Sequence, residues 1–397
     1  MSSKTATSAS SSSAVKPRCR HFGTCGGCQL QDRSYEEQLA QKRARVEKLT
    51  GLSVQKVHPS PEPWYYRNKM EFSFGDVYPP VEGGPKLKLG LKPRGKWFEI
   101  LDLQECFLLS PETPALLAAV RGWAAREGVL PYNSHRQEGV LRHLVVREGK
   151  NTGERLVLLV TSPARVPTET FVKAVLSAYP ATTILWGVNG KVSDTAISDK
   201  IGALHGSGFI ADTLTVAGRT LRFRISPQAF FQTNTKGAEL LYNLIAEMIG
   251  KPKAVLDLFC GGGGIALSLA GSAGKVYGAE LNASAVADAK ANAQLNEIDN
   301  VEFYSGEVQT LLPSMLALGC EAAVVDPPRA GMHPTAVEAL LQNGPERLIY
   351  VSCNPEALAR DLSKLSPRYG AARLEMVDLF PHTEHVETVV MLHRRSS

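Results

Sequence analysis

The chain has 397 residues, 44% of them hydrophobic and 21% charged, an ordinary globular balance that calls for two or three cores. Its net charge of +5 hides an asymmetry: residues 1–225 carry 31 Lys and Arg against 20 Asp and Glu, and residues 226–397 carry 13 against 19, so the first half is the one suited to a polyanion. No apolar run reaches the length of a membrane span, and seven cysteines without a signal sequence speak against a secreted disulfide scaffold.

Residues 1–17 read as a disordered tail, because Met1 to Ala14 is rich in Ser, Thr and Ala and has no acid. It lacks the apolar segment of a secretory signal, so a reducing, cytoplasmic setting is expected. Residues 18–63 form a cysteine-rich segment and a basic helix. Cys19, Cys25 and Cys28 are spaced x5 and x2 among glycines, and Cys106 lies on a later strand-like run. Three close thiols and one distant thiol make a four-ligand set for zinc or an iron–sulfur cluster, and spacing alone does not choose. A helix is expected from Tyr35 to Thr50, with Ser34 and Glu37 as a capping box. A linker follows from Pro59 to Pro63.

Residues 64–225 read as a central α+β domain. Strands are expected at Lys69–Phe74, Leu87–Leu91, Trp97–Leu101, Val140–Arg147, Arg155–Thr161, Thr183–Val188 and Leu221–Ile225. Helices are expected at Thr113–Glu127 and Glu169–Tyr179. Residues 226–397 then alternate strand and helix. That pattern predicts an α/β fold with a doubly wound parallel sheet.

The loop Cys260-Gly261-Gly262-Gly263-Gly264 joins a buried strand to a helix in that sheet. Gly261, Gly263 and Ala266 loosely fit the dinucleotide pattern G-x-G-x-x-A, and Glu280 ends the next strand, where a carboxylate can accept from ribose hydroxyls. NAD and S-adenosylmethionine are the two candidate ligands. Asp326-Pro327-Pro328-Arg329 favours the second: its prolines fix an extended edge for a flat base, and a simple dehydrogenase has no need of it. Ser352-Cys353-Asn354-Pro355 sits where an apolar strand ends and a helix begins. Asn354 suits the N-cap and Pro355 the first helical position. The helix end is expected to favour the Cys353 thiolate.

Together these residues resemble the RNA uracil-C5 methyltransferases, over nearly the whole chain from Cys19 onward. The resemblance is carried by Cys19-x5-Cys25-Gly26-Gly27-Cys28 with Cys106, by Tyr66-Arg67-Asn68-Lys69 and by Gln228-Ala229-Phe230-Phe231-Gln232-Thr233-Asn234. The glycine loop, Glu280, Asp326–Arg329, Ser352–Pro355 and His385-Val386-Glu387-Thr388 complete it. It implies a Rossmann-like methyltransferase sheet, S-adenosylmethionine and a [4Fe-4S] cluster on Cys19, Cys25, Cys28 and Cys106. It implies Cys353 as nucleophile at uracil C6 and Glu387 as base for the C5 proton. Cofactor contacts fall to Gln232, Phe259, Gly261, Gly264, Glu280 and Asp326, and RNA contacts to Phe230, Arg329, Arg67 and Lys69. Gly264 stands where several relatives carry a side-chain donor, so its contact is through the backbone. Only about 18 residues precede Cys19, which resembles the branch without an N-terminal RNA-binding barrel. The expected substrate is 23S rRNA, with tRNA as the alternative, and a monomer is expected. Competing readings are amino-group methylation, an NAD-linked iron–sulfur oxidoreductase and a non-catalytic RNA-binding protein.

Overall fold

The structure, a computed structural model, describes residues 15–77, 87–96 and 98–395. Most of the expected tail therefore lies outside the described residues. In chain order the elements begin with α1 (Tyr35–Thr50), β1 (Lys56–His58), β2 (Lys69–Asp76), β3 (Leu87–Leu91), β4 (Leu101–Asp102), α2 (Thr113–Glu127), β5 (Leu141–Glu148), β6 (Arg155–Thr161), α3 (Thr168–Ala178), β7 (Thr183–Val188), β8 (Lys200–His205), β9 (Ile210–Val216) and β10 (Arg219–Ile225). They continue with α4 (Thr235–Ile249), β11 (Ala254–Leu258), α5 (Gly264–Leu269), β12 (Lys275–Glu280), α6 (Ala283–Leu295), β13 (Val301–Ser305), α7 (Val308–Leu316), β14 (Ala322–Val325), α8 (Pro334–Asn343), β15 (Arg347–Ser352), α9 (Pro355–Leu365), β16 (Tyr369–Val377) and β17 (Glu387–Arg394).

The first of three sheets runs β4-β3-β2-β5-β6-β7-β8, antiparallel except between β6 and β7. Helices α2 and α3 pack together beside it, with Trp123 meeting Phe171 edge-on at 5.0 Å. Trp123 and Phe171 share a core with Phe72, Leu144, Val146 and Val157, which alternate along their strands as one buried face. The strand expected over Trp97–Leu101 shrinks to Leu101–Asp102, and Trp97 lies outside the described residues.

The hairpin β9–β10 is the second sheet. Ala217 and Gly218 both have positive φ, 49° and 75°, as a tight primed turn requires. The edge of β10 is not left open: Arg222 N donates to Asn296 Oδ1 and Arg224 N to Asn292 Oδ1.

The third sheet has the order β1-β16-β17-β15-β14-β11-β12-β13. Its strands are parallel except β17, which runs antiparallel to both β15 and β16. Apolar cores lie on both faces, as near-continuous apolar strands demand. The doubly wound α/β sheet expected from alternation is the one found. Two of its parts were not expected. Strand β1 joins the edge at β16, with His58 opposite Val377. Helix α7 carries Pro313 in its interior, which hides it from a periodicity reading. Among the described residues, no helix is long and apolar enough to cross a membrane.

Candidate active site

The end of β15 sets the centre of the site. Asn354 caps α9 by accepting from Glu356 N at 3.2 Å, and Pro355 takes the first helical position. Ser352 Oγ accepts from Asn354 N at 3.1 Å, which tightens the turn around Cys353. Across the sheet, Ser352 is registered against Thr388 of β17, and Thr388 Oγ1 donates to the Ser352 carbonyl at 2.9 Å. The next residue outward on each strand is Cys353 and Glu387. The antiparallel register therefore brings the thiol-bearing and carboxyl-bearing residues to one end of adjacent strands.

The electrostatics of this end are dominated by buried acids. Burial pushes the Glu387 carboxyl well above the usual carboxylate range; Asp326 adds to the rise and Arg329 opposes it. Burial also pushes Asp326 up to about 7. The Cys353 thiol is raised by burial first, then by Glu387 and Asp326, against the lowering effect of Arg329. The expected bias of the helix end toward thiolate is thus outweighed in this structure. Desolvation and two neighbouring carboxyls act against it, and neither was visible in the local sequence.

The glycine loop leaves β11 through a backbone that few side chains tolerate. Phe259, Gly261 and Gly263 have φ of 69°, 52° and 84°. Glu280 Oε2 accepts from Gly261 N at 3.1 Å and Glu280 Oε1 from Asn282 N at 2.8 Å. One carboxylate thus ties the loop to the start of α6 and keeps lone pairs free. The segment from Pro227 to Asn234 is fixed from the central sheet. Arg147 donates to the carbonyls of Pro227 and Ala229, and Asn68 Nδ2 donates to the Gln232 carbonyl at 2.7 Å.

These elements enclose a cavity of about 940 Å³. It brings together Cys353, Glu387, Gln232, Phe259, Gly261, Glu280, Asp326, Phe230, Arg329 and Arg67. Phe230 is 64% exposed and so offers its ring to a ligand rather than to the core. Two expected residues do not line it. Gly264 instead lines a small adjoining pocket with Phe230, Gln232, Phe259, Gly261 and Asp326, and it faces Tyr242, whose hydroxyl would lie 2.6 Å from a Cβ placed there. Lys69 lines a second cavity and pairs with Glu71 at 2.6 Å. Sequence reasoning missed Leu281, Asn282 and Glu307 to Gln309 on the cavity wall. The rule that ligands gather at strand C-termini could have found them, since they follow β12 and β13. The donor set suits a nucleoside: a strand-end carboxylate, an exposed Leu281 and a proline-edged wall with few N–H groups.

Cys19, Cys25, Cys28 and Cys106 are free thiols. Among the described residues, no three His, Cys, Asp or Glu side chains converge closely enough to hold a metal ion. The four thiols still share one neighbourhood. Burial raises all of them, and Cys28 reaches about 12 with Cys106, Cys25 and Cys19 each contributing. Gly27 N donates to Cys25 Sγ at 3.3 Å.

The cysteine segment also grips the loop that leads into β17. Gln29 N and Leu30 N both donate to the His382 carbonyl, at 2.8 and 3.0 Å. His382 N donates to Gln38 Oε1 at 2.9 Å, and the His382 ring stacks on Trp64 at 3.7 Å. Lys42 Nζ reaches Asp378 Oδ1 at 2.6 Å with both side chains buried.

A family model described as tRNA (Uracil-5-)-methyltransferase matches residues 192–311 and 313–395. An uncharacterized RNA methyltransferase of Clostridium tetani is 37% identical over 96% of this chain and 85% of its own length. A second, from Bacillus cereus, is 36% identical over 95% of this chain and 82% of its own. Among solved structures, the Pyrococcus abyssi tRNA (uracil-54, C5)-methyltransferase in complex with S-adenosyl-L-homocysteine superposes with a TM-score of 0.78. It is 31% identical and covers 93% of this chain and 86% of that one. The chain belongs to the tRNA (uracil-5-)-methyltransferase family and is an S-adenosylmethionine-dependent RNA uracil-5 methyltransferase.

Proposed function

We propose that the reaction runs through a transient bond between Cys353 Sγ and uracil C6, with Glu387 as the base. The observation that carries this reading is the Ser352–Thr388 register, which sets both residues at one end of the same cavity. Uracil C5 is a weak nucleophile. Attack of the thiolate on C6 pushes the C5–C6 double-bond electrons toward C5 and the C4 oxygen, and C5 then takes the methyl group. S-adenosylmethionine, when bound, supplies that methyl as an electrophile on a sulfonium. Gln232, Phe259, Gly261, Glu280 and Asp326, which line the same cavity, are the residues that would hold it. Glu387 takes the C5 proton, the electron pair re-forms C5=C6, and the Sγ–C6 bond breaks to release the thiolate. A carboxyl raised by burial is a stronger base than an exposed one, which suits this proton. Phe230 gives the extruded base an aromatic face, since the reacting atoms are otherwise stacked.

Cys19, Cys25, Cys28 and Cys106 would hold a [4Fe-4S] cluster. Their shared neighbourhood and the N–H···S contact at Cys25 support the assignment. Its place beside the loop at His382 points to a structural task.

The proposed RNA is 23S rRNA. Transfer RNA is the second reading, favoured by the action of the Pyrococcus abyssi neighbour on uracil-54 of tRNA. Mapping 5-methyluridine across total RNA with and without the gene separates the two. The chemistry is tested by a 5-fluorouridine RNA. Trapping of a covalent adduct that Cys353→Ala abolishes is expected. Undiminished methylation by that variant would overturn the mechanism.

A further inference from the structure

We propose that the second cavity, beside the catalytic one, receives unpaired nucleotides adjoining the target uridine, and that Arg67 grips the phosphate linking them to it. The inference rests on the uracil-C5 reading of the catalytic cavity.

The second cavity measures about 1140 Å³, above the roughly 300–1,000 Å³ of ordinary small-molecule sites. Its floor is the face of the central sheet turned away from the core of Trp123 and Phe171. Register explains the lining: Lys69, Glu71 and Ser73 of β2 stand opposite Arg147, Val145 and His143 of β5, and Val145 stands opposite Leu158 of β6. Val145 and Leu158 give an apolar base. Ser73 Oγ and His143 Nδ1 lie 3.2 Å apart above it and give polar edges. Such a mixture suits a nucleobase better than a hydrocarbon.

The charge on the walls favours a polyanion. Arg67, Lys69, Lys92, Arg94 and Lys96 outnumber Glu71 and Asp194. Most of these cations already have a carboxylate: Lys69 with Glu71 and Lys92 with Asp194, each at 2.6 Å, and Lys96 with Glu99 at 3.0 Å. Arg67 differs. Its side chain has no hydrogen-bond or ion-pair partner among the described residues, and its Nε is buried without one. Arg67 also lines both cavities, as do Ile197, Gln228 and Thr233. Ile197 is 61% exposed on this shared rim. An unpaired guanidinium between two base-sized hollows is placed to bind one phosphate, with a fork of donors matched to its oxygens. The recess is concave, whereas the accessible groove of an A-form duplex is wide and shallow. Single-stranded RNA is therefore the fitting occupant.

The probe is a single-stranded RNA oligonucleotide with one 5-fluorouridine, prepared with a neutral methylphosphonate at either linkage of that residue. Adduct formation is followed against RNA concentration in the presence of S-adenosylmethionine. At one linkage, the neutral substitution is expected to raise the half-saturating concentration of the wild-type protein about tenfold, the scale of one charge-assisted contact. Arg67→Ala is expected to show the same rise with unmodified RNA and no further rise with the neutral linkage. Arg67→Lys, which keeps the charge, should recover part of the loss and controls for folding. A linkage penalty of equal size in Arg67→Ala and wild type would overturn the assignment. So would half-saturation that does not change when the flanking nucleotides are removed. Absence of any adduct in wild-type protein that binds S-adenosylmethionine would sink the uracil mechanism itself, and this inference with it.

Discussion

Thr388 donates its side-chain hydroxyl to the Ser352 carbonyl, which adds a side-chain contact to the β15–β17 ladder at the end where Cys353 and Glu387 lie. Replacing Thr388 with Val keeps the shape and removes the donor, a loss of about 1 kcal/mol. The methylation rate at saturating RNA is expected to fall about fivefold, the kinetic equivalent of that loss. An unchanged rate in a protein of lowered stability would show that the contact serves the fold alone.

The acid–base balance of the site gives a pH prediction. Burial, Glu387 and Asp326 all raise the Cys353 thiol, so adduct formation should climb with pH on the alkaline side of neutrality. Arg329 lowers both Cys353 and Glu387. Arg329→Gln should therefore move the ascending limb to higher pH, read from adduct rates with 5-fluorouridine RNA. A limb that stays in place would contradict the electrostatic account.

Asp257 makes a separate test on stability. It is fully buried on β11, and burial followed by Asp326 pushes it up to about 8 from an ordinary 3.8, against the lowering pull of the Ala266 N–H. The folded state thus holds this proton more tightly than the unfolded chain. Its contribution is fully present below the unfolded value and is lost as pH rises through about 8. Asp257→Asn should flatten the fall in stability between those limits by about 1–3 kcal/mol. Thermal unfolding midpoints at the two ends of the window provide the comparison; an undiminished fall would remove Asp257 from the explanation.

The pair of Lys42 and Asp378 predicts a larger effect. Both side chains are buried, and Tyr35 Oη also donates to Asp378, at 2.9 Å. Lys42→Met leaves a buried carboxylate without its cation, at a cost of about 3–5 kcal/mol in urea unfolding. Adding Asp378→Leu should restore part of the loss. If the double variant is no better than the single one, the ion pair is not the cause.

For the cysteine segment, protein purified without oxygen should contain iron and acid-labile sulfide in equal amounts. Cys106→Ser should remove both and weaken stability or RNA affinity before it slows methyl transfer. Finding zinc alone would overturn the cluster assignment.

What the sequence made legible was local. Asn354 and Pro355 announced a helix start because capping depends on neighbours in the chain, and Ser34 with Glu37 formed the capping box expected of them. The glycine loop and Glu280 were readable for the same reason. The environment of Cys353 was not, because Asp326 and Glu387 reach it only through sheet order. Strand β1 escaped notice because three residues carry no periodicity and their partner lies more than 300 residues away. The second cavity escaped too: its floor is built by register between β2, β5 and β6, which alternation in any one strand does not specify.

The pairing of β1 with β16 also orders events during synthesis. Residues 56–58 leave the ribosome early, yet the strand they dock on ends at Val377. Until that strand exists, α1 has no Asp378 to meet and the cysteine loop has no His382 to hold. Cys25 and Cys28 find cover sooner, since they pack against the core of the first sheet and Gly26 N donates to the Lys92 carbonyl, but the hold on His382 waits for nearly the whole of translation. Contacts this distant close slowly, so the cysteine segment meets its own domain well before it can fix the loop that leads into β17.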